Sequence, residues 1–346
     1  MKMIATFIFL INILFFQSAF TTEKVLNLYV WYNEIPSNVI KQFKKETGIR
    51  INISTFDDNE TLYAKLKAAP QSGYDIIEPS GYYTERMQKE GMLLSIDHSK
   101  LKNLDAIYSK LRHPAYDPKG LYSIPYIWGV TGIFVNKNYF DPKSVEKWSD
   151  LWQKRFYNKI SLLNDPREVF SMSLLSLGFS ANDENPEHIK VAYNHLKKLL
   201  PNIKLFNSDA IPSLFIDEDA TVGMAWNGDI FRATKENPNL VFIYPKDGFI
   251  IWVDTFAIPK YAPHVDYAYQ FLNFMLRPEI AKQVTLKFGY PTANKVAHDL
   301  LPDAIRNNQI IFPLEKTLDT GEFQIDISDK ALALYAHYWE QLKITA

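Results

Sequence analysis

No cysteine occurs anywhere in the 346 residues. That absence excludes disulfides, thiolate metal sites, a cysteine nucleophile and a lipid-bearing N-terminal cysteine. Excess base is lacking too: 38 Lys and Arg face 39 Asp and Glu. The basic stripe that nucleic acid requires is therefore missing, and no run of like charge marks a tail or a patch for anionic lipid. Catalytic signatures are equally scarce. The seven histidines form no HExxH and no i,i+4 pair, and no GxSxG, GxxxxGK[ST] or GxGxxG occurs. The apolar run from Met3 to Phe16 contains Asn12 and falls short of the roughly eighteen residues that span a bilayer.

What is present is an ordinary globular composition, 47% hydrophobic and 22% charged, long enough for two packed lobes. Lys2, the apolar run, and then Ser18, Ala19 and Thr21 have the layout of a secretory signal. Residues 1–20 are expected to be removed on export, leaving a soluble periplasmic protein, expected to be a monomer. Aromatics make up 14% of the chain, more than cores alone require.

The order of elements implies a parallel, doubly wound sheet. VLNLYVWY (25–32), INISTF (51–56) and YDIIEPS (74–80) read as strands. SNVIKQFKKETG and NETLYAKLKAA, with apolar residues at helical spacing, read as the helices between them. In such sheets ligands sit beyond the carboxyl ends of the strands. Trp31 closes the first strand, while Ser80 and Tyr82 follow the third. A second lobe is expected from GVTGIFVNKNYF (129–140), with a helix at SDLWQKRF, a strand at KISLLND, helices over 167–177 and 188–199, and strands at ATVGMAWNGD and around Trp252. Two further helices follow, and Gly289 reads as a left-handed helix stop just before Tyr290. The expected division is 24–130 with about 255–300 for one lobe, and 131–254 with about 301–346 for the other.

Two patterns carry chemistry. In IIWVDTFAIP (250–259), strand alternation puts Trp252 and Asp254 on one face. No Lys or Arg lies within five residues of that acid, and an unpaired buried carboxylate is costly. Either a basic side chain arrives from elsewhere, or a ligand supplies the cation. Asp165-Pro166-Arg167-Glu168 has the form of a capping box, and the preceding strand also delivers its two acids to a sheet's carboxyl end. Trp31 and Trp226 end strands as well. An indole face attracts a cation by roughly 0.5–2 kcal/mol, and also stacks on sugars. Adjacent Tyr82 and Tyr83 would suit a ferric ion, and paired acids would suit glycoside hydrolysis. However, Asp165 and Glu168 come from a single turn, not from opposite sides of a scissile bond.

Many motifs in one order extend over essentially the whole chain after the signal: KQFKKETGI, NETLYAKLKA, YDIIEPSGYY, YSIPYIWGVTGI, WSDLW, NDPREVF, LGFSAN, FNSD, GMAWNG, WVDTFAIP, NFMLRPEIAKQV, FGYPTAN and GEFQID. In these the chain resembles the periplasmic spermidine/putrescine-binding proteins of bacterial ABC transporters. The resemblance implies an α/β, two-lobe periplasmic binding protein fold of type II, with the ligand in a cleft between lobes joined by crossing strands. It implies no enzyme activity and no cofactor. The implied function is delivery of a polyamine, by hinge closure, to an inner-membrane ABC permease with a cytoplasmic ATPase. The implied ligand shell is Trp31, Tyr32, Asn33, Glu34, Ser80, Tyr82, Asp165, Glu168, Trp226, Trp252, Asp254, Tyr290 and Gln324. Asp254 and Trp252 would take a central ammonium, Asp165 and Glu168 one end, and the Trp31–Glu34 loop with Gln324 the other. A ferric-ion or sugar-binding protein of the same fold is the alternative. One departure stands out: the family follows the first-strand Trp with a hydroxyl residue, an acid and Tyr, whereas this chain has Tyr32, Asn33 and Glu34. Glu34 is expected to supply the missing charge through a small loop shift.

Overall fold

The computed structural model describes residues 23–32, 34–208 and 211–345. The expected export signal and Asn33 lie outside the described residues. Strands β1 (Val25–Trp31), β2 (Arg50–Phe56) and β3 (Ile76–Ile77) form a parallel sheet in the order β2-β1-β3, as the alternation of strands and helices requires. The crossover helix Ser37–Thr47 buries Val39 and Phe43 and stops where Gly48 turns left-handed at φ 72°, a backbone shape that glycine adopts without strain. Apolar cores pack on both faces of this sheet.

The second sheet contains β4 (Ile124–Asn136), β5 (Ile160–Leu162), β6 (Ile203–Phe206), β7 (Val222–Trp226), β8 (Leu240–Ile243), β9 (Phe249–Phe256) and β10 (Gly321–Phe323). Its order is β10-β9-β4-β7-β5-β6, with β8 also on β4. The antiparallel β4–β9 ladder runs from Ile124↔Phe256 to Thr131↔Ile250. One end of it, with Ile124, Ile127, Val253 and Phe256, belongs to the core of the first sheet. The other end, with Val130, Ile133, Ile250 and Ile251, belongs to a separate core. These two strands run through both cores. Among the described residues no helix is long and apolar enough to cross a membrane.

β4 carries Pro125 within it, and a register shift between Pro125 and Ile127 accommodates the proline. One sequence expectation needs correction. SDLWQKRF is not an α-helix but two 3₁₀ turns, Trp148–Trp152 and Lys154–Phe156. Its buried Trp148 and Leu151 are three apart, the 3₁₀ repeat, and the Trp148 indole N–H is held by the Gly248 carbonyl at 2.9 Å.

Gly129 faces Trp252 across this ladder. A Cβ built at Gly129 would lie 2.2 Å from the Trp252 ring and 2.8 Å from Asn227 Oδ1. Gly129→Ala is therefore expected to displace the indole and destabilise the fold by about 1–3 kcal/mol, as overpacking does. Thermal melts followed by tryptophan fluorescence would measure both effects; an unchanged melt would show that the indole has room to move.

Candidate binding cleft

The segments that reach the cleft are chain ends of strands and first turns of helices. Trp31 ends β1. Ser80 caps the Gly81–Lys89 helix directly after β3, with Tyr82 in its first turn. Asp165 caps the Pro166–Ser176 helix, its carboxylate accepting from the Glu168 N–H at 3.0 Å. The return half of the expected capping box does not form: Glu168 Oε2 makes no hydrogen bond among the described residues, and the side chain faces the cleft. Trp226 ends β7 and starts the Asn227–Thr234 helix. Trp252 and Asp254 come from the buried strand β9, and Tyr290 follows Gly289, which is left-handed at φ 75° as expected.

Together these line a cavity of about 580 Å³. Every described residue of the expected shell is on its wall: Trp31, Tyr32, Glu34, Ser80, Tyr82, Asp165, Glu168, Trp226, Trp252, Asp254, Tyr290 and Gln324. Tyr32 sits at the rim, 66% exposed. Gln324 leaves β10 next to the Pro166–Ser176 helix, where Arg167 donates to the neighbouring Ile325 carbonyl at 3.3 Å.

The cavity also brings in residues the sequence did not single out, above all Asp229 and Arg232. They form an ion pair one turn apart on the Asn227–Thr234 helix. Tyr290 donates its hydroxyl to Asp229 at 3.1 Å, and the Arg232 guanidinium lies 5.7 Å from the centre of the Tyr290 ring. Asn59 is another such residue. Its amide donates to Ser80 Oγ and to the Tyr82 hydroxyl at 3.1 Å each, while its oxygen accepts from Ser80 N–H. Its place in NETLYAKLKA read only as a helix start, so nothing local flagged either feature.

The wall is strongly acidic. Among the described residues seven carboxylates line it against two bases, Arg232 and Lys287. Asp254, 4% exposed, has no Lys or Arg partner among the described residues; its Oδ1 accepts from Ser80 Oγ at 2.6 Å. Burial pushes Asp254 up to about 7, against the opposing help of Ser80 and the nearby Trp31 indole. Among the described residues that indole N–H makes no hydrogen bond of its own. Burial and the charge of Asp165 push Glu168 up to about 8, and Asp165 is itself raised, chiefly by burial. Trp252 meets Tyr290 edge-on with ring centres 5.3 Å apart, so the acids lie between flat aromatic walls. Such a slot holds a flexible chain that is positive at several points and apolar between them.

A family model described as bacterial extracellular solute-binding protein matches residues 38–313. The chain belongs to that family. It is 42% identical, over 92% of this chain and 91% of the relative, to the spermidine/putrescine-binding periplasmic protein of Salmonella typhimurium. A solved structure described as a putative spermidine/putrescine ABC transporter from Listeria monocytogenes superposes with a TM-score of 0.90 at 35% identity, covering 93% of this chain and all of that one. The spermidine/putrescine substrate-binding protein of Streptococcus pneumoniae superposes at 0.80 with 34% identity, covering 93% and 99%. The α/β periplasmic binding protein fold is thereby established for this solute-binding protein, and the family is not enzymatic.

The acids leave a signature in stability. Asp254 holds its proton more tightly folded than unfolded, so stability falls as pH rises from about 4 to about 7, and the penalty is absent below that window. Asp254→Asn removes it. The variant is expected to melt above the wild type at pH 8 without ligand, with the gap closing toward pH 4. Calorimetric scans at the two pH values would decide this, and a variant less stable at pH 8 would contradict the assignment.

Proposed function

We propose that this chain is an exported substrate-binding protein that captures polyamines, spermidine or putrescine, and presents them to an ABC importer by closing its two lobes. The relatives named above carry that substrate in their descriptions. The observation that supports it here is Asp254: a buried carboxylate between indole walls whose partner is a hydroxyl, not a base. A ligand ammonium is the counter-charge it lacks. Asp254 with Trp252 takes a central ammonium, Asp165 and Glu168 take one end, and Glu34 with Gln324 serves the other. The separate cores on either side of the β4–β9 ladder support a division into lobes near residues 130 and 254. A ligand touching both lobes favours the closed form, and a permease with its ATPase then reads that shape. A ferric site would need phenolates, yet burial holds the Tyr82 hydroxyl well above its ordinary range and so protonated.

Calorimetric titration with putrescine, spermidine, ferric ion and an oligosaccharide separates these readings. Only the polyamines are expected to give heat. Asp254→Asn is expected to cost about 2–4 kcal/mol of binding, roughly 30- to 1,000-fold in Kd. Saturable heat from the sugar or iron, with none from polyamines, would refute the proposal.

Arg232 should bear on the choice between polyamines. A triamine brings one more positive charge than a diamine into a slot that already contains a guanidinium. At an effective dielectric of about 20 and a distance of about 15 Å, that repulsion is about 1 kcal/mol. Arg232→Gln is expected to raise the ratio of spermidine to putrescine affinity roughly fivefold. An unchanged ratio in competition titrations would mean that Asp229 already cancels the guanidinium.

A further inference from the structure

Just beneath the cleft lies a carboxyl that the polyamine reading leaves unused. Glu78 follows β3 and has no exposed surface. Its Oε2 accepts from the Trp31 N–H at 3.3 Å, while its Oε1 and Oε2 of Glu34 have no hydrogen-bond donor among the described residues. The two carboxyls lie within hydrogen-bonding reach of each other. Two carboxylates cannot both stay ionised at such a separation away from water; a proton between them resolves the contact.

The groups that face the pair do not supply a free base. From β9 comes Asp254, another acid. From β4 comes Tyr126, whose hydroxyl donates to the Glu34 carbonyl oxygen at 2.8 Å. The Asn227–Thr234 helix brings Arg232, which attracts Glu34 but is ion-paired with Asp229, and Tyr290 donates to that same Asp229. Burial, then the charges of Glu78 and Asp254, hold Glu34 well above the usual carboxylate range. Burial, then Asp254, does the same for Glu78.

We propose that Glu34 and Glu78 are one proton-sharing acid pair, and that a polyamine ammonium docking at this end of the slot displaces the shared proton. The O–H bond of the pair breaks, the proton passes to solvent base, and the ammonium stays intact, its N–H groups taking over the donor role. The pair goes from one negative charge to two as one positive charge arrives. Glu78 is thus a positioning residue acting through Glu34, and the two together stand in for the acid missing at position 33. The inference rests on the polyamine reading.

The test is calorimetric titration of the full chain with putrescine and spermidine at pH 7, in buffers of different ionisation enthalpy. The dependence of apparent heat on buffer counts the protons released. Asp254 and Glu168 contribute protons of their own, so the difference between variants is decisive. Glu78→Gln is expected to release about one proton fewer than the wild type, and its affinity to lose about a tenfold change per pH unit. Glu34→Gln should show the same proton deficit, and it carries the test alone if Glu78→Gln does not fold by circular dichroism. Equal proton counts in all three proteins would overturn the pair while leaving polyamine binding intact. Absence of binding to either polyamine by the folded wild type would overturn the polyamine reading and this inference with it.

Discussion

The structure depends on acids that keep too little water and no full complement of cations of their own. A carboxylate in a low-dielectric site loses hydration that a hydroxyl or an indole N–H only partly replaces. Asp254 is the central case, with Ser80 Oγ as its hydrogen-bond partner. Around it the fold is arranged to make that state tolerable. β1, β3, β5 and β7 deliver their ends to one place, and the helices after them start there. Helix starts carry partial positive charge, which softens carboxylate burial without satisfying it. The unresolved part of that charge is the site's affinity for a cation.

Much of this was legible in the residues. Period-two alternation put Trp252 and Asp254 on one face, and the Asp165-Pro166 start fixed a helix whose first turn faces a sheet's carboxyl end. Glycine at 289 announced the turn that aims Tyr290. What stayed hidden has a common cause. Asp229 and Arg232 are three apart on a helix, the spacing of countless solvent-exposed pairs, and only packing of that helix against Tyr290 brings them into the cleft. Glu78 ends an apolar run just before Pro79, where an acid usually turns to solvent. Its burial depends on Ala257 pairing with Ile77 from far along the chain.

The β4–β9 ladder explains why a two-lobe arrangement suits a charged site. Each strand has one end in each core, so the lobes are tied by backbone hydrogen bonds close to Asp254. The carboxyl-terminal segment adds a second tie. Arg86, on the helix that follows Ser80, is ion-paired with Asp326 and Asp329 and donates to the Ile327 carbonyl. This pairing is largely buried on the Asp326 side, where breaking one partner leaves an uncompensated charge.

The Asp229–Arg232 pair gives the slot a polarity that acids alone would not. At the Asp165 and Glu168 end the carboxylates look out with no base paired to them, and both are raised by burial. At the Glu34 end a fixed guanidinium, held by Asp229 and lying over the Tyr290 ring, offsets part of the negative field. Arg232 cannot shed its charge at any accessible pH. The field it exerts is therefore constant, whereas the field of the acids follows their protonation. A ligand that is positive at both ends meets one end that is adjustable only through protons and another that contains a permanent cation. The two ends of the cleft are therefore not interchangeable in charge.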